Sequence, residues 1–222
     1  MKVSSNRGNF QSLICESLCE YADELQVKHG AFHLKSIYGA GQTKNPKYCF
    51  VFMNPTSRNV SAVREWKGLR APWIGTKQVW SLFQELELLD SKLYKRIIKL
   101  KPLEWNDTFA TAVYENLAEH SAYITNLAKC TQVDARPLSN SVFKAYLPLF
   151  QKEIELINPT HLFTFGNQVS SIVLGKQVSV SQYLHGQSEL FQGRYVTHPV
   201  FYPVGQGRRN QPLAIRRIRS VF

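Results

Sequence analysis

The stretch KYCFVFMNP, residues 47–55, decides the fold of this chain. Its apolar, aromatic and β-branched residues predict a short strand that is buried on both faces. Pro55 has no backbone N–H, so we expect the strand to stop at Asn54-Pro55. An amide at this place is a candidate binding group, because parallel sheets bind ligands beyond the carboxyl ends of their strands.

Predicted strands and helices alternate along the rest of the chain. Further strands are predicted for SAYITNLAKC (121–130), HLFTFGN (161–167) and RYVTHPV (194–200). Helices are predicted for QSLICESLCEYADELQ (11–26), TKQVWSLFQELELL (76–89), SVFKAYLPLFQKEIELINP (141–159), QVSSIVLG (168–175) and QPLAIRRIRSVF (211–222). This alternation predicts an α/β fold, a three-layer α/β/α sandwich with a central four-stranded, mainly parallel sheet.

The chain organisation predicts one domain over residues 1–222, with an N-terminal helical segment at about residues 10–30. The long polar loop from Thr56 to about Thr76 is a candidate functional loop. Pro148 predicts a kink or a late start in the helix that contains it.

The charge balance favours a polyanionic partner. Lys and Arg total 27 against 16 Asp and Glu, which gives a formal net charge of +11. From Leu156 to Phe222, Glu189 is the one acidic residue among many arginines. This pattern points to nucleic acid first, although a basic globular protein of another kind shows the same composition. No apolar run of 18 residues is present, and a monomeric cytoplasmic protein without membrane spans is expected.

Three polar side chains fall at predicted strand ends, namely Asn54, Asn126 and His198. Each one alone is as well explained by a turn, a cap or a structural histidine. Because the carboxyl ends of parallel strands share one edge of the sheet, their convergence on one region predicts a binding site there.

Four ordered blocks carry a resemblance to the uracil-DNA glycosylase superfamily, from about Cys49 to Phe222. They are FMNPT (52–56), APWIGTKQVWSLFQEL (71–86), ITNLAKCTQVDARPLS (124–139) and VTHPVFYP (196–203). FMNPT resembles the first superfamily motif in its Asn-Pro version, known from the mismatch-specific and single-strand-selective branches. VTHPVFYP resembles the second motif, and the middle blocks, with INPTHLFTFGNQVSSIVLG (157–175), resemble the iron–sulfur branch.

The resemblance implies an enzyme: a monofunctional DNA glycosylase that flips a deaminated base, uracil first, out of DNA and hydrolyses its N-glycosidic bond. Asn54 is implied to position the attacking water and His198 to stabilise the leaving base. Trp73 is implied to stack on the base and Asn126 to read its edge. An amide that donates to one carbonyl and accepts from a ring N–H matches uracil and mismatches cytosine.

The remaining implied site residues surround this core. Met53, Pro55 and Thr56 are expected to line the base site. DNA contacts are expected from Pro199, Phe201, Tyr202, Arg208 and Arg209. The two arginines suit phosphate binding, and Phe201 or Tyr202 suits a wedge in the vacated base stack. The partner is DNA with a damaged or deaminated base, and no obligate protein partner is expected.

Departures from the motifs keep a second interpretation open. Phe52 and Val200 stand where the motifs have Gly and Ser, and Thr56 stands where the first motif has Gly or Tyr. The alternative is a weak or inactive member that binds uracil or single-stranded DNA without turnover. A nucleotide or nucleoside enzyme is a third interpretation, but MNPTSRN (53–59) lacks the Gly-rich phosphate loop it needs.

The cysteines raise the question of an iron–sulfur cluster. Cys15, Cys19 and Cys130 match three of that branch's cysteines, whereas KAYLPLF (144–150) holds no fourth and Cys49 falls on a strand. We therefore expect no cofactor and no metal, and buried free thiols by default.

Overall fold

A mixed β-sheet forms the centre of the protein in the computed structural model, which describes residues 16–183 and 186–222. The sheet has six strands in the order β1-β3-β2-β4-β6-β5. The inner four strands are parallel, and β1 and β5 add antiparallel edges. The strands are β1 Ala40–Gly41, β2 Tyr48–Phe52, β3 Ala122–Asn126, β4 His161–Phe165, β5 Glu189–Phe191 and β6 Tyr195–Val200. The predicted four-stranded parallel core is therefore confirmed, with two short edge strands that had not been expected.

Helices cover both faces of the sheet, as the alternating pattern predicted. They are α1 Glu16–His29, α2 Gln78–Glu85, α3 Ser91–Lys99, α4 Asp107–Glu119, α5 Asn140–Ile157, α6 Asn167–Leu174 and α7 Gln211–Arg219. Helices α1, α5 and α6 share one hydrophobic core with the sheet, and α2, α4 and α7 share the other. The α/β/α sandwich is thus confirmed.

The central strands are buried on both faces, which explains why their sequences are continuous apolar runs. In β2, Tyr48, Phe50 and Phe52 belong to the core under α2, α4 and α7. Cys49 and Val51 belong to the opposite core, under α1, α5 and α6. The face under α2, α4 and α7 is called the α7 face below.

Two helix predictions need correction or restriction. Helix α5 runs from Asn140 to Ile157 with Pro148 inside it, so a late start is wrong. The buried stripe of Phe143, Tyr146 and Phe150 continues across the proline and holds the first turns in place. In the N-terminal segment, α1 covers Glu16–His29, and residues 10–15 lie outside the described part. None of the described helices is both long and apolar enough to cross a lipid bilayer.

Candidate active site

Asn126 and Phe52 lie side by side at the carboxyl edge of the sheet. Asn126 ends β3 and is in register with Phe52, the last residue of β2. Paired residues of parallel strands point to the same face, so both side chains lie on the α7 face. Asn126 is only 2% exposed, and its Nδ2 is buried with no hydrogen-bond partner. A buried amide donor without a partner is costly, which makes it a candidate group for binding a ligand.

Asn54 follows Phe52 by two residues and is partly exposed. Its Nδ2 donates a hydrogen bond of 3.1 Å to the carbonyl oxygen of Pro55. No hydrogen bond ends on Oδ1 within the described residues, so this oxygen remains available to accept from water or a ligand. The backbone of the Asn-Pro turn thereby orients the side-chain amide of Asn54.

The loops that leave β2 and β3 run beside each other beyond the sheet. Ala128 N–H donates to the Met53 carbonyl at 3.0 Å, and Gln132 N–H donates to the Pro55 carbonyl at 3.1 Å. Thr56 and Gln132 form an isolated parallel bridge. The predicted lining residues Met53, Pro55 and Thr56 therefore sit in a backbone segment that is fixed at the expected edge.

Trp73 contacts the same place from the long loop between β2 and α2. Its ring meets Phe52 edge to face, with 5.0 Å between centroids. Its Nε1 is buried and has no partner among the described residues. The Trp73 backbone has φ of 72°, in the left-handed region, which is rare for a bulky residue and typical of functional sites.

A buried asparagine holds this loop, and the sequence analysis did not identify it. Asn59 Nδ2 donates to the Ala71 carbonyl at 2.7 Å, two residues before Trp73. Its Oδ1 accepts from the backbone and hydroxyl of Ser61 at 3.0 and 2.8 Å. Tyr114 also donates its hydroxyl hydrogen to the carbonyl of Pro72. These contacts position Trp73 although its own backbone conformation is unfavourable.

A buried ion pair contacts the backbone of Asn126, and the sequence analysis did not identify it either. Lys129 Nζ is 2.5 Å from Glu153 Oε2, and donates to the Asn126 carbonyl at 2.6 Å. Glu153 Oε1 accepts from Tyr123 and Thr125, both at 2.8 Å. The pair therefore ties the end of β3 to α5. A lysine inside the apolar run ITNLAKC was the one sequence signal for this network.

His198 is not brought to this edge. The strand predicted over 194–200 is present as β6, Tyr195–Val200, but His198 lies two residues before its end and not at the end. His198 is in register with Phe163, and Phe163 with Phe50. Asn54 lies four residues beyond Phe50, which corresponds to about 13 Å along the sheet.

The surroundings of His198 are those of a core residue. It is 4% exposed and stacks on Phe163 with 5.1 Å between centroids. Nε2 lies 3.1 Å from His161 Nδ1, and Nδ1 lies 3.3 Å from Arg217 Nη2. Burial, then Arg217 and then His161, lower the pKa of His198 to about 3, so the ring is neutral.

The segment after β6 reaches the carboxyl edge instead. Phe201 and Tyr202 are partly exposed, and Arg208 and Arg209 are exposed in the short helical turn Gly205–Asn210. Pro199 is buried inside β6 and in register with Thr164, so the structure does not present it to a DNA strand.

The described cysteines differ in their burial. Cys49 and Cys130 are fully buried and Cys19 is partly exposed on α1, whereas Cys15 lies outside the described residues. Among the described residues, no group of three or more His, Cys, Asp or Glu side chains could hold a metal ion. The thiol pKa of Cys49 is raised well above its usual range, first by burial. The expectation that no cofactor is bound stays a prediction.

Comparison with known proteins gives the class. The sequence profile of the uracil DNA glycosylase superfamily matches residues 39–216, from just before β1 to within α7. The chain belongs to this superfamily. Its members are typically DNA glycosylases, hydrolases that act on DNA in repair. A comparison with curated proteins gave no match.

Proposed function

We propose that the protein is a monofunctional DNA glycosylase that releases a deaminated base, uracil first, from DNA. The observation that carries this proposal is the buried, unpartnered Nδ2 of Asn126 at the carboxyl edge of the sheet. Asn54, with its free Oδ1, and Trp73, with its unpartnered indole N–H, lie around the same residue, Phe52. Superfamily membership supplies the class of reaction.

Base recognition is assigned to Asn126 and Trp73. The target base leaves the stack, because a glycosidic bond inside a duplex is out of reach, at a cost of a few kcal/mol. Asn126 Nδ2 donates to the O4 carbonyl of uracil, and Oδ1 accepts from its N3–H. Cytosine has the opposite pattern at these positions, so its binding would leave buried polar groups unpaired. Stacking on the Trp73 indole contributes about 1–3 kcal/mol.

Hydrolysis is assigned to a water held by Asn54. As the bond between C1′ and the base nitrogen breaks, its electron pair leaves with the base and C1′ becomes cationic. The water oxygen, oriented by Asn54 Oδ1, then bonds to C1′ and its proton passes to solvent. An amide is a poor base, but a strongly electrophilic sugar cation needs an oriented water more than a strong base.

The DNA strand is proposed to run past the segment after β6. Arg208 and Arg209 are exposed and can contact phosphates on either side of the flipped nucleotide. Phe201 is partly exposed in the same segment after β6 and suits the wedge role. These contacts offset the cost of extruding the base. No metal or organic cofactor takes part in this proposal.

A second candidate function is supported by Phe52. This side chain is fully buried and stacks on Phe165 with 4.3 Å between centroids, and it also contacts Trp73. Its ring therefore occupies the centre of the proposed site, where the superfamily motif has glycine. A member with a filled site would bind uracil-containing or single-stranded DNA with little or no turnover.

Base release from oligonucleotides distinguishes the two functions. The purified protein should release uracil from a single-stranded or G·U-containing oligonucleotide and leave an alkali-labile site. Asn54→Ala should reduce the rate by orders of magnitude. Gln42→Ala is the matched control, because that amide bonds only the Lys44 carbonyl near the opposite edge. Tight binding without any abasic product would establish the non-catalytic alternative.

A further inference from the structure

A tyrosine, Tyr202, follows the carboxyl end of β6 as far beyond the sheet as Asn54. Val200, the last residue of β6, is in register with Phe165, which stacks on Phe52. Tyr202 lies two residues beyond Val200, as Asn54 lies two residues beyond Phe52. Asn54 and Tyr202 therefore lie equally far beyond the carboxyl edge of the sheet. His198, in contrast, lies two residues before Val200, inside the sheet.

The ring of Tyr202 is fixed on the α7 face at this edge. It meets Phe52 edge to face at 6.4 Å between centroids and packs against the same core as Trp73. A Cβ at Gly207 would clash with the Tyr202 carbonyl. The glycine at 207 thus permits the chain to pack closely against Tyr202.

The hydroxyl group of Tyr202 is available to a ligand. It has no hydrogen-bond partner among the described residues, and it is not one of their buried unpartnered atoms, so it reaches solvent. Burial of the ring raises the pKa of Tyr202 to about 12, which keeps the phenol protonated and able to donate. His198, by contrast, uses both ring nitrogens on His161 and Arg217.

We propose that Tyr202, and not His198, donates the hydrogen bond that stabilises the leaving base. This inference rests on the proposed glycosylase function and names the missing donor of that site. As the glycosidic bond breaks, its electron pair moves onto the base, and the Tyr202 O–H donates to a base carbonyl oxygen that gains negative charge. No proton transfer is required. Removing one such donor typically costs about 100- to 1000-fold in rate.

The test compares single-turnover uracil release by three variants with the wild-type protein. Tyr202→Phe removes the hydroxyl alone and should lower the rate about 100- to 1000-fold, with little change in oligonucleotide affinity. Tyr195→Phe is the matched control, because that hydroxyl is buried and unpartnered and the residue begins β6, seven positions before Tyr202. His198→Gln should keep a rate close to wild type at a temperature where the variant is folded.

Changing the leaving base gives a further test, because a purely structural role of Tyr202 would not make the rate defect depend on the base. 5-Fluorouracil leaves more easily than uracil, since fluorine withdraws electrons, and it depends less on a donor. The defect of Tyr202→Phe should therefore be smaller for 5-fluorouracil. An equal defect for both bases would overturn the inference and leave the proposed function standing. A wild-type rate in Tyr202→Phe together with loss of base release in folded His198→Gln would have the same consequence. Absence of base release by the wild-type protein overturns the proposed function, and the inference with it.

Discussion

The imidazoles of His161 and His198 are joined by a hydrogen bond of 3.1 Å between Nδ1 and Nε2. A guanidinium can only donate, so Arg217 donates to Nδ1 of His198. The neutral His198 ring therefore carries its proton on Nε2 and donates it to His161. Arg217 is 1% exposed and also donates to the Gln187 carbonyl and the Ser220 hydroxyl. This network joins β4, β6 and α7, and it gives His198 a structural function.

The first prediction is a pH dependence of stability that originates at His198. Its pKa is about 3 in the folded protein, well below the ordinary value of 6.5, mainly because of burial. The folded state therefore binds fewer protons, and the stabilisation is complete above pH 6.5. It is lost as the pH falls from 6.5 toward 3, by about 1.4 kcal/mol per pH unit.

The measurement is denaturant unfolding from pH 4 to pH 8 for wild type and His198→Gln. The difference between the two free energies of unfolding should grow with pH up to about 6.5 and then stay constant. A difference that does not change with pH would show that the imidazole accepts a proton in the folded state.

The second prediction concerns the buried pair of Lys129 and Glu153. Lys129→Met leaves the Glu153 carboxylate, which is 2% exposed, without its counter-charge. We expect the free energy of unfolding to fall by about 3–5 kcal/mol. The double variant Lys129→Met/Glu153→Leu should recover most of this loss, because no buried charge is then left unpaired.

Denaturant unfolding of the three proteins measures both effects. Arg136→Met is the control, because the Arg136–Asp134 pair is exposed and such pairs contribute little. A double variant as unstable as Lys129→Met would show that the loss comes from altered packing and not from the unpaired charge.

Much of the fold was accessible from the sequence because the central strands are buried on both faces. The apolar run before Asn54-Pro55 predicted β2, and similar runs predicted β3 and β4. Strands β1 and β5 contain two and three residues, which is too short for a periodic pattern. They form only because a neighbouring strand offers free backbone groups, and this depends on tertiary structure.

The place of His198 within β6 was misjudged because a proline is normally excluded from central strands, so His198-Pro199 was expected at the strand end. Strand β5 pairs with β6 only as far as Thr197, so β6 is an edge strand at Pro199. The Val200 carbonyl accepts from Gly166 on the β4 side, so by alternation the Pro199 nitrogen faces the unpaired side. The missing N–H therefore costs no ladder hydrogen bond.

The placement of the candidate site residues was predictable in part from strand ends and, for Trp73, from the family resemblance. Asn54, Asn126 and Trp73 were named from the sequence and lie around Phe52. Asn59 and the partner of Lys129 could not be found, because the groups that they contact are distant in sequence or belong to the backbone. The position of Tyr202 depends on the register of β6, which no sequence period specifies.

The third prediction tests whether the Phe52 ring restricts the base site. Phe52→Ala removes a ring that contacts Phe165, Trp73 and Tyr202, and it should lower the free energy of unfolding by about 3–5 kcal/mol. The vacated space borders Asn126, so we expect a lower KM for a uracil-containing oligonucleotide.

Phe50→Ala is the matched control for this experiment. Phe50 lies two residues earlier on β2, points to the same face and is equally buried. It should cost similar stability, measured by denaturant unfolding, without improving KM. An unchanged KM in folded Phe52→Ala would show that the ring does not occupy the base position.

The last prediction concerns the phosphate contacts of Arg208 and Arg209. Each arginine that neutralises one phosphate adds about 0.7–0.9 to the slope of log affinity against log salt concentration. Arg208→Ala and Arg209→Ala should each reduce the slope by that amount, and the double variant by the sum. Arg194→Ala is the control, because Arg194 is exposed just before the amino end of β6 and donates to Asn158. Fluorescence anisotropy with a labelled oligonucleotide at several salt concentrations measures the slopes, and equal slopes for all variants would place the DNA on another surface.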